Sequence, residues 1–221
     1  MRCCLVLTLI LAVCRPCAAA PETRTDRNDP EAVLLLEEAA RHSANMTTLS
    51  ADFRQEKKLG ILAQPLISQG FLCVTRDGQS PSASSVHKER VLWAYTSPAP
   101  SGFLYENGQG AFWEKTPANK HATGSREAAA ITALVRHILA WIQVDVHMLR
   151  QTYRLERPEK DRPVLLLHPR RQSFFTKVEA EFAPDLAGMS RLTFFEANGD
   201  TARILFTDTR INQALPERCA R

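Results

Sequence analysis

The residues best suited to chemistry in this 221-residue chain are six histidines and six cysteines, and their spacing gives them no shared task. His42, His87, His121, His137, His147 and His168 lack His-x-x-x-His or Cys-x-x-Cys partners, the spacings that place imidazoles and thiolates around one metal ion. No Gly-x-Ser-x-Gly turn presents a nucleophilic serine. The chain therefore reads as a non-enzyme, with no catalytic residue, metal or cofactor assigned. Cys73 and Cys219 are the cysteines beyond the first 20 residues. They form either a disulfide or a buried thiol at 73 and an incidental one in the tail, and spacing alone does not choose between these.

The first 20 residues explain the other four cysteines. MRCCLVLTLILAVCRPCAAA starts with Arg2, runs apolar from Cys3 to Cys14 and ends in three alanines, the layout of a cleaved secretory leader. A lipoprotein leader would need a small residue before Cys14, where Val13 stands. Export to an oxidising periplasm is expected, with residues 21–221 as a single domain. Without Arg2 and Arg15 the chain carries 26 basic and 24 acidic residues, well interspersed. That balance leaves no footprint for nucleic acid.

The elements expected between the termini are mostly strands. Asp29-Pro30-Glu31 supplies a cap, a first-turn proline and an acid at a positive helix end, so a helix runs from there to about Asn45. Its apolar stripe is read as Val33, Leu34, Leu36 and Ala40. Ser125 caps a second helix over 126–142, with Ile131, Leu134, Val135, Ile138, Leu139 and Ile142 at helical spacing. Elsewhere the period is two, with turn signals at Asp77-Gly78, Asn107-Gly108 and Asn198-Gly199 and a serine-rich loop over 79–88. The expected fold is α+β and mainly antiparallel β. It is an incomplete, half-open barrel whose concave apolar cavity is covered by the helices.

One face of those strands is rich in aromatic side chains. Trp93 and Tyr95 follow Val91 at alternate positions, and Phe103, Phe112, Phe174, Phe182, Phe194 and Phe206 are read as pointing the same way. Such a face is either packed core or ligand cavity, and periodicity does not decide. FRQEKKLG at 53–60 departs from the pattern by placing Gln55 and Lys57 on the apolar side. A strand at the margin of an open barrel, only half covered, would permit that.

Phe53-x-Gln55-x-Lys57-x-Leu59 followed by Pro65-Leu66-x-Ser68-x-Gly70, and then Arg90-Val-Leu-Trp-Ala-Tyr-Thr-Ser-Pro98, resemble the opening strands of the periplasmic outer-membrane lipoprotein carriers of the LolA type. Phe112-Trp113 after Asn107-Gly108 and the final FTDTRINQALP at 206–216 are similar in kind. The resemblance implies a monomer that takes acylated lipoproteins from an ATP-driven inner-membrane release complex and passes them to an outer-membrane receptor lipoprotein. It puts Val91, Trp93 and Tyr95 on the strand that meets acyl chains, makes helices the lid, for which the helix over 126–142 joined by Pro30–Asn45 is the candidate, and assigns the lid latch to His87 or Arg90. Related carriers move glycolipids or aryl-polyene lipids instead, and a packed scaffold that binds no lipid is the third reading.

Overall fold

Asp29 caps the first helix as its sequence suggests. Its carboxylate accepts the Glu31 backbone N–H at 2.9 Å, Pro30 takes the first helical position, and α1 runs Pro30–Ser43. The computed structural model describes residues 27–76, 89–106, 109–115, 137 and 140–220. The leader, the serine-rich loop with His87, and Ile131, Leu134, Val135, Ile138 and Leu139 of the expected lid lie outside the described residues.

Among the described residues ten strands follow: β1 (Thr48–Lys58), β2 (Leu66–Arg76), β3 (Glu89–Ser97), β4 (Ser101–Glu106), β5 (Gln109–Glu114), β6 (Tyr153–Glu156), β7 (Val164–Pro169), β8 (Phe175–Phe182), β9 (Met189–Glu196) and β10 (Thr201–Ile211). A short helix, α2 (Val146–Thr152), precedes β6, and a 3-10 turn, Glu217–Ala220, follows β10. The strands form one antiparallel sheet in the order β5-β4-β3-β2-β1-β10-β9-β8-β7-β6. Among the described residues β5 and β6 do not pair, so the sheet is unclosed. β1 sits in its middle, between β2 and β10, and the expectation that this strand lies at a margin is corrected.

Register assigns the faces. Phe53 stands opposite Phe206 and Gly70, Gly70 opposite Tyr95, Trp93 opposite Phe103, and Phe103 opposite Phe112. Directly opposed residues share a face. β3 and β10 are three strand spacings apart, about 14 Å in a flat sheet, yet the Trp93 and Phe206 ring centroids are 6.5 Å apart. That convergence marks this side as the concave one.

Ala32, Leu35, Leu36 and Ala39 of α1 join the same core, as do Trp141, Ile142, Val144 and Leu149. The Ser43 hydroxyl donates to the Gln143 carbonyl at 2.9 Å, tying the two helical segments over one end of the face. The α1 stripe is rotated from the expected one: Leu34 is 64% exposed, and Leu35 is buried in its place.

A second, smaller core lies on the convex side. Cys73, Leu92, Ala94, Leu104 and Trp113 pack under the C-terminal tail, with Phe71 and Leu215 at the edge. Cys73 and Cys219 are joined by a disulfide, with Cα atoms 5.8 Å apart and a sequence separation of 146. Further bonds fasten the tail. Arg90 Nη1 donates to the Cys219 carbonyl at 2.5 Å, Arg218 pairs with Asp52, and the Asn212 side chain bridges the Thr47 N–H and the Asn45 carbonyl.

Candidate functional site

β1, β2, β3, β4 and β10 present their concave residues at one level, which builds a layer of aromatic rings. Phe53 lies 4.5 Å from Trp93 and meets Tyr95 edge-on at 5.4 Å, while Trp93 stacks on Phe103 at 6.1 Å. Offset and edge-to-face pairs at these separations are attractive beyond the area they bury. Toward the far strands Trp141 lies 5.2 Å from Phe194, and Phe175 lies 4.9 Å from Phe194.

The residues expected on the apolar face divide accordingly. Val91, Trp93, Phe103, Phe182, Phe194 and Phe206 are buried in one cluster, Tyr95 packs on it half-buried, and Ile142 belongs to it. Phe112 shares the face by register but sits on edge strand β5, 42% exposed. Phe174 does not share it and is 76% exposed. The register shifts between Phe175 and Lys177, and this bulge hands the inward position to Phe175. Arg90 is corrected too. It is opposite Thr75 and Glu106 on the convex side, bonded to Cys219 and paired with Glu106 at 3.7 Å.

Gln55 and Lys57 belong to the site for a reason the alternation alone did not show. They continue the concave side of β1 past Phe53, toward the end of the sheet opposite α1. The Tyr95 hydroxyl donates to Gln55 Oε1 at 2.7 Å, and Lys57 Nζ lies 3.6 Å from Glu196. The face thus grades from aliphatic under the helices, through aromatic, to polar at its open end.

Among the described residues, the indole N–H groups of Trp93 and Trp141 inside the face have no hydrogen-bond partner. Burial pushes the Tyr95 pKa up, opposed by the Trp93 indole, which is near its hydroxyl without hydrogen-bond geometry. Tyr153 is pushed up to about 12 by burial, opposed in the same way by Trp141. His137, with Nδ1 unpartnered beside Trp141, is lowered by burial.

These shifts set a pH window. Folding favours neutral Tyr153, so its contribution is full below the unfolded value of 10.0 and is lost as pH rises toward about 12. Folding also favours neutral His137, so its contribution is full above 6.5 and declines as pH falls through that value. Thermal unfolding followed from pH 5 to 11 should show a plateau between about 7 and 10 with a fall on each side. Tyr153→Phe should reduce the alkaline fall.

Among the described residues, two surface clefts lie on the other side of the sheet. One is walled by Asp52, Asp208, Arg210, Pro216 and Arg218, and a second by Arg54, Gln69, Phe71, Thr96 and Thr207. Their charged walls do not suit an apolar ligand.

Among solved structures, the Pseudomonas aeruginosa MucA/MucB complex is similar, at 14% identity over 86% of this chain and 60% of that one, with a TM-score of 0.52. MucB alone is similar at 15% identity over 87% and 63%, TM-score 0.51. The Mycobacterium tuberculosis lipoprotein LppX matches at 11% over 86% and 99%, TM-score 0.47. The chain spans less than two thirds of the MucB chains it matches, and at these identities the likeness to MucB is one of fold. A search of curated proteins finds no sequence match. The pattern of the family described as outer membrane lipoprotein carrier protein LolA matches residues 44–219, and the chain belongs to that family.

Proposed function

We propose that the protein is an extracytoplasmic carrier that holds acyl chains of lipoproteins against the concave face of its sheet. It receives them from an ATP-driven complex at the inner membrane and gives them up to a receptor at the outer membrane. The observation that carries this reading is the aromatic layer Phe53-Trp93-Phe103-Phe206. It lines the inside of an unclosed sheet and continues outward to a part-exposed ring at Phe112.

Energetics suit transfer rather than storage. Each buried methylene contributes about 0.8 kcal/mol, so ten give roughly 8 kcal/mol and micromolar affinity. The same groups are already buried in a bilayer, so extraction needs outside energy and release needs only a competing apolar site. Trp141 and Ile142 occupy the concave face in this structure, and cargo would take their place as that segment moves. Ester or amide carbonyls at the head of the acyl chains would also accept from the unpartnered Trp93 and Trp141 indoles. A buried donor without an acceptor costs about 1–3 kcal/mol.

A protein ligand is the second reading. The charged convex clefts favour it, and the fold neighbour MucB is solved in complex with MucA. Mass spectrometry of what copurifies with the exported, tagged protein separates the two. Triacylated lipoprotein with the wild type, and its loss with Trp93→Glu, is the expected result. A photo-crosslinker at Val91 should capture the same cargo without risk to the fold. Another lipid at that position would change the cargo, and a peptide with no lipid would overturn the carrier reading.

A further inference from the structure

Exposed large apolar side chains collect at the end of the sheet opposite α1. The connection between β1 and β2 holds Ile61, 90% exposed, with Leu62 and Leu66 beside it. The connection between β7 and β8, at the same end by strand direction, holds Phe174.

The first tip is built rather than loose. The Gly60 N–H donates to Asp200 Oδ1 at 2.8 Å, and the Leu62 N–H donates to the Leu59 carbonyl at 2.9 Å, so Ile61 is held outward. Both tips run directly into the concave face. Leu66 stands opposite Lys57 on that face, and Phe174 precedes Phe175, which packs on Phe194 inside. Apolar residues of both tips therefore flank the polar open end of the face, next to the route to the aromatic interior.

We propose that this rim docks on the surface of a phospholipid bilayer, with Ile61, Leu62 and Phe174 entering the interface and the open end of the concave face set against the lipid. Apolar residues on separate tips, with Gln64, Gln172 and Ser173 around them, suit a fluid surface better than a flat partner. Lys57, Lys58, Arg171 and Lys177 lie at this end with Glu56, Glu196 and Asp200, Lys57 paired with Glu196 and Lys58 with Glu56, a nearly balanced set with a slight basic excess that suits weakly anionic lipid. Apolar insertion leads the interaction. The purpose of docking rests on the acyl-carrier reading, but the docking itself is measured without cargo.

The test is co-flotation of cargo-free protein with vesicles of phosphatidylethanolamine and phosphatidylglycerol. Wild type should float, and the double variant Ile61→Asp, Leu62→Asp should lose about tenfold or more in partitioning. Phe174→Asp should lose part of it independently. Raising salt to about 0.5 M should change little, since charge is secondary. Binding of a fluorescent fatty acid in solution should be the same for all three, which shows their concave faces intact. Absence of wild-type flotation, or equal flotation of the variants, overturns the proposal. So does a wild-type dimer that the double variant turns into a monomer, which would make the rim an interface between copies. If flotation stands while the fatty acid fails to bind wild type, the carrier reading fails and the docking surface remains.

Discussion

Replacing Cys73 and Cys219 together by alanine should lower stability by up to about 5 kcal/mol, the chain-entropy value for a loop of this length. The bond closes a span of 146 residues, so its absence frees a large part of the unfolded ensemble. At about 2–4 °C of Tm per kcal/mol for a domain of this size, thermal unfolding should move down by up to about 10–20 °C. The wild type heated in strong reductant should approach the variant's curve. The tail should not leave altogether, because Arg90, Arg218 and Asn212 hold it independently. An unchanged Tm in both experiments would mean that those contacts, not the bond, secure the convex core.

A single added methyl should do comparable harm at Gly70. A Cβ there would lie 2.0 Å from the Ala94 carbonyl oxygen and 2.6 Å from Phe53 Cζ. Neither neighbour can yield easily. The carbonyl is backbone of the adjacent β3, beside a register shift between Gln69 and Gly70. Phe53 is held by Trp93 and Tyr95. Gly70→Ala should therefore cost about 3 kcal/mol or more in denaturant unfolding, at the severe end of overpacking. Gly188→Ala is the matched control, since its Cβ would meet only side-chain atoms at 3.6 Å. Near-equal losses in the two variants would show that the β2–β3 pairing can shift to admit the methyl.

Alternation revealed the concave face because most of these strands bury one side against the core and leave the other wet. It failed where a local irregularity changes the phase. The bulge before Lys177 exchanges Phe174 for Phe175, and no residue type at that point announces it. The convex core was also missed, although its signal was present. Val91, Leu92, Trp93 and Ala94 are apolar without interruption, which is what burial on both faces requires. What covers the second face is a tail whose own sequence, from Asn212 to Arg218, reads as a polar exit. The anomaly of Gln55 and Lys57 was legible, but its cause was not. It reflects position along a central strand, near the open end, rather than position at the edge of the sheet. Partners for both came from residues 40 and 139 positions away, Tyr95 and Glu196, which no local window includes.

The place of β10 has a consequence for the order of assembly. β1 to β5 form one run of sequential neighbours and β6 to β9 another, and β10 alone joins them, pairing with β1 on one side and β9 on the other. Each half can zip up through contacts close in sequence, but their union waits for β10, which follows both in the chain. Until then two sheet margins stand open, at β1 and β9, with unpaired backbone groups that invite wrong pairing. The residues that follow β10 then bring Cys219 to Cys73 on the first half, so seating the keystone places the two thiols within bonding reach. The disulfide thereby acts as a clasp: once formed, it ties the segment that leaves β10 to the half that β10 has just joined.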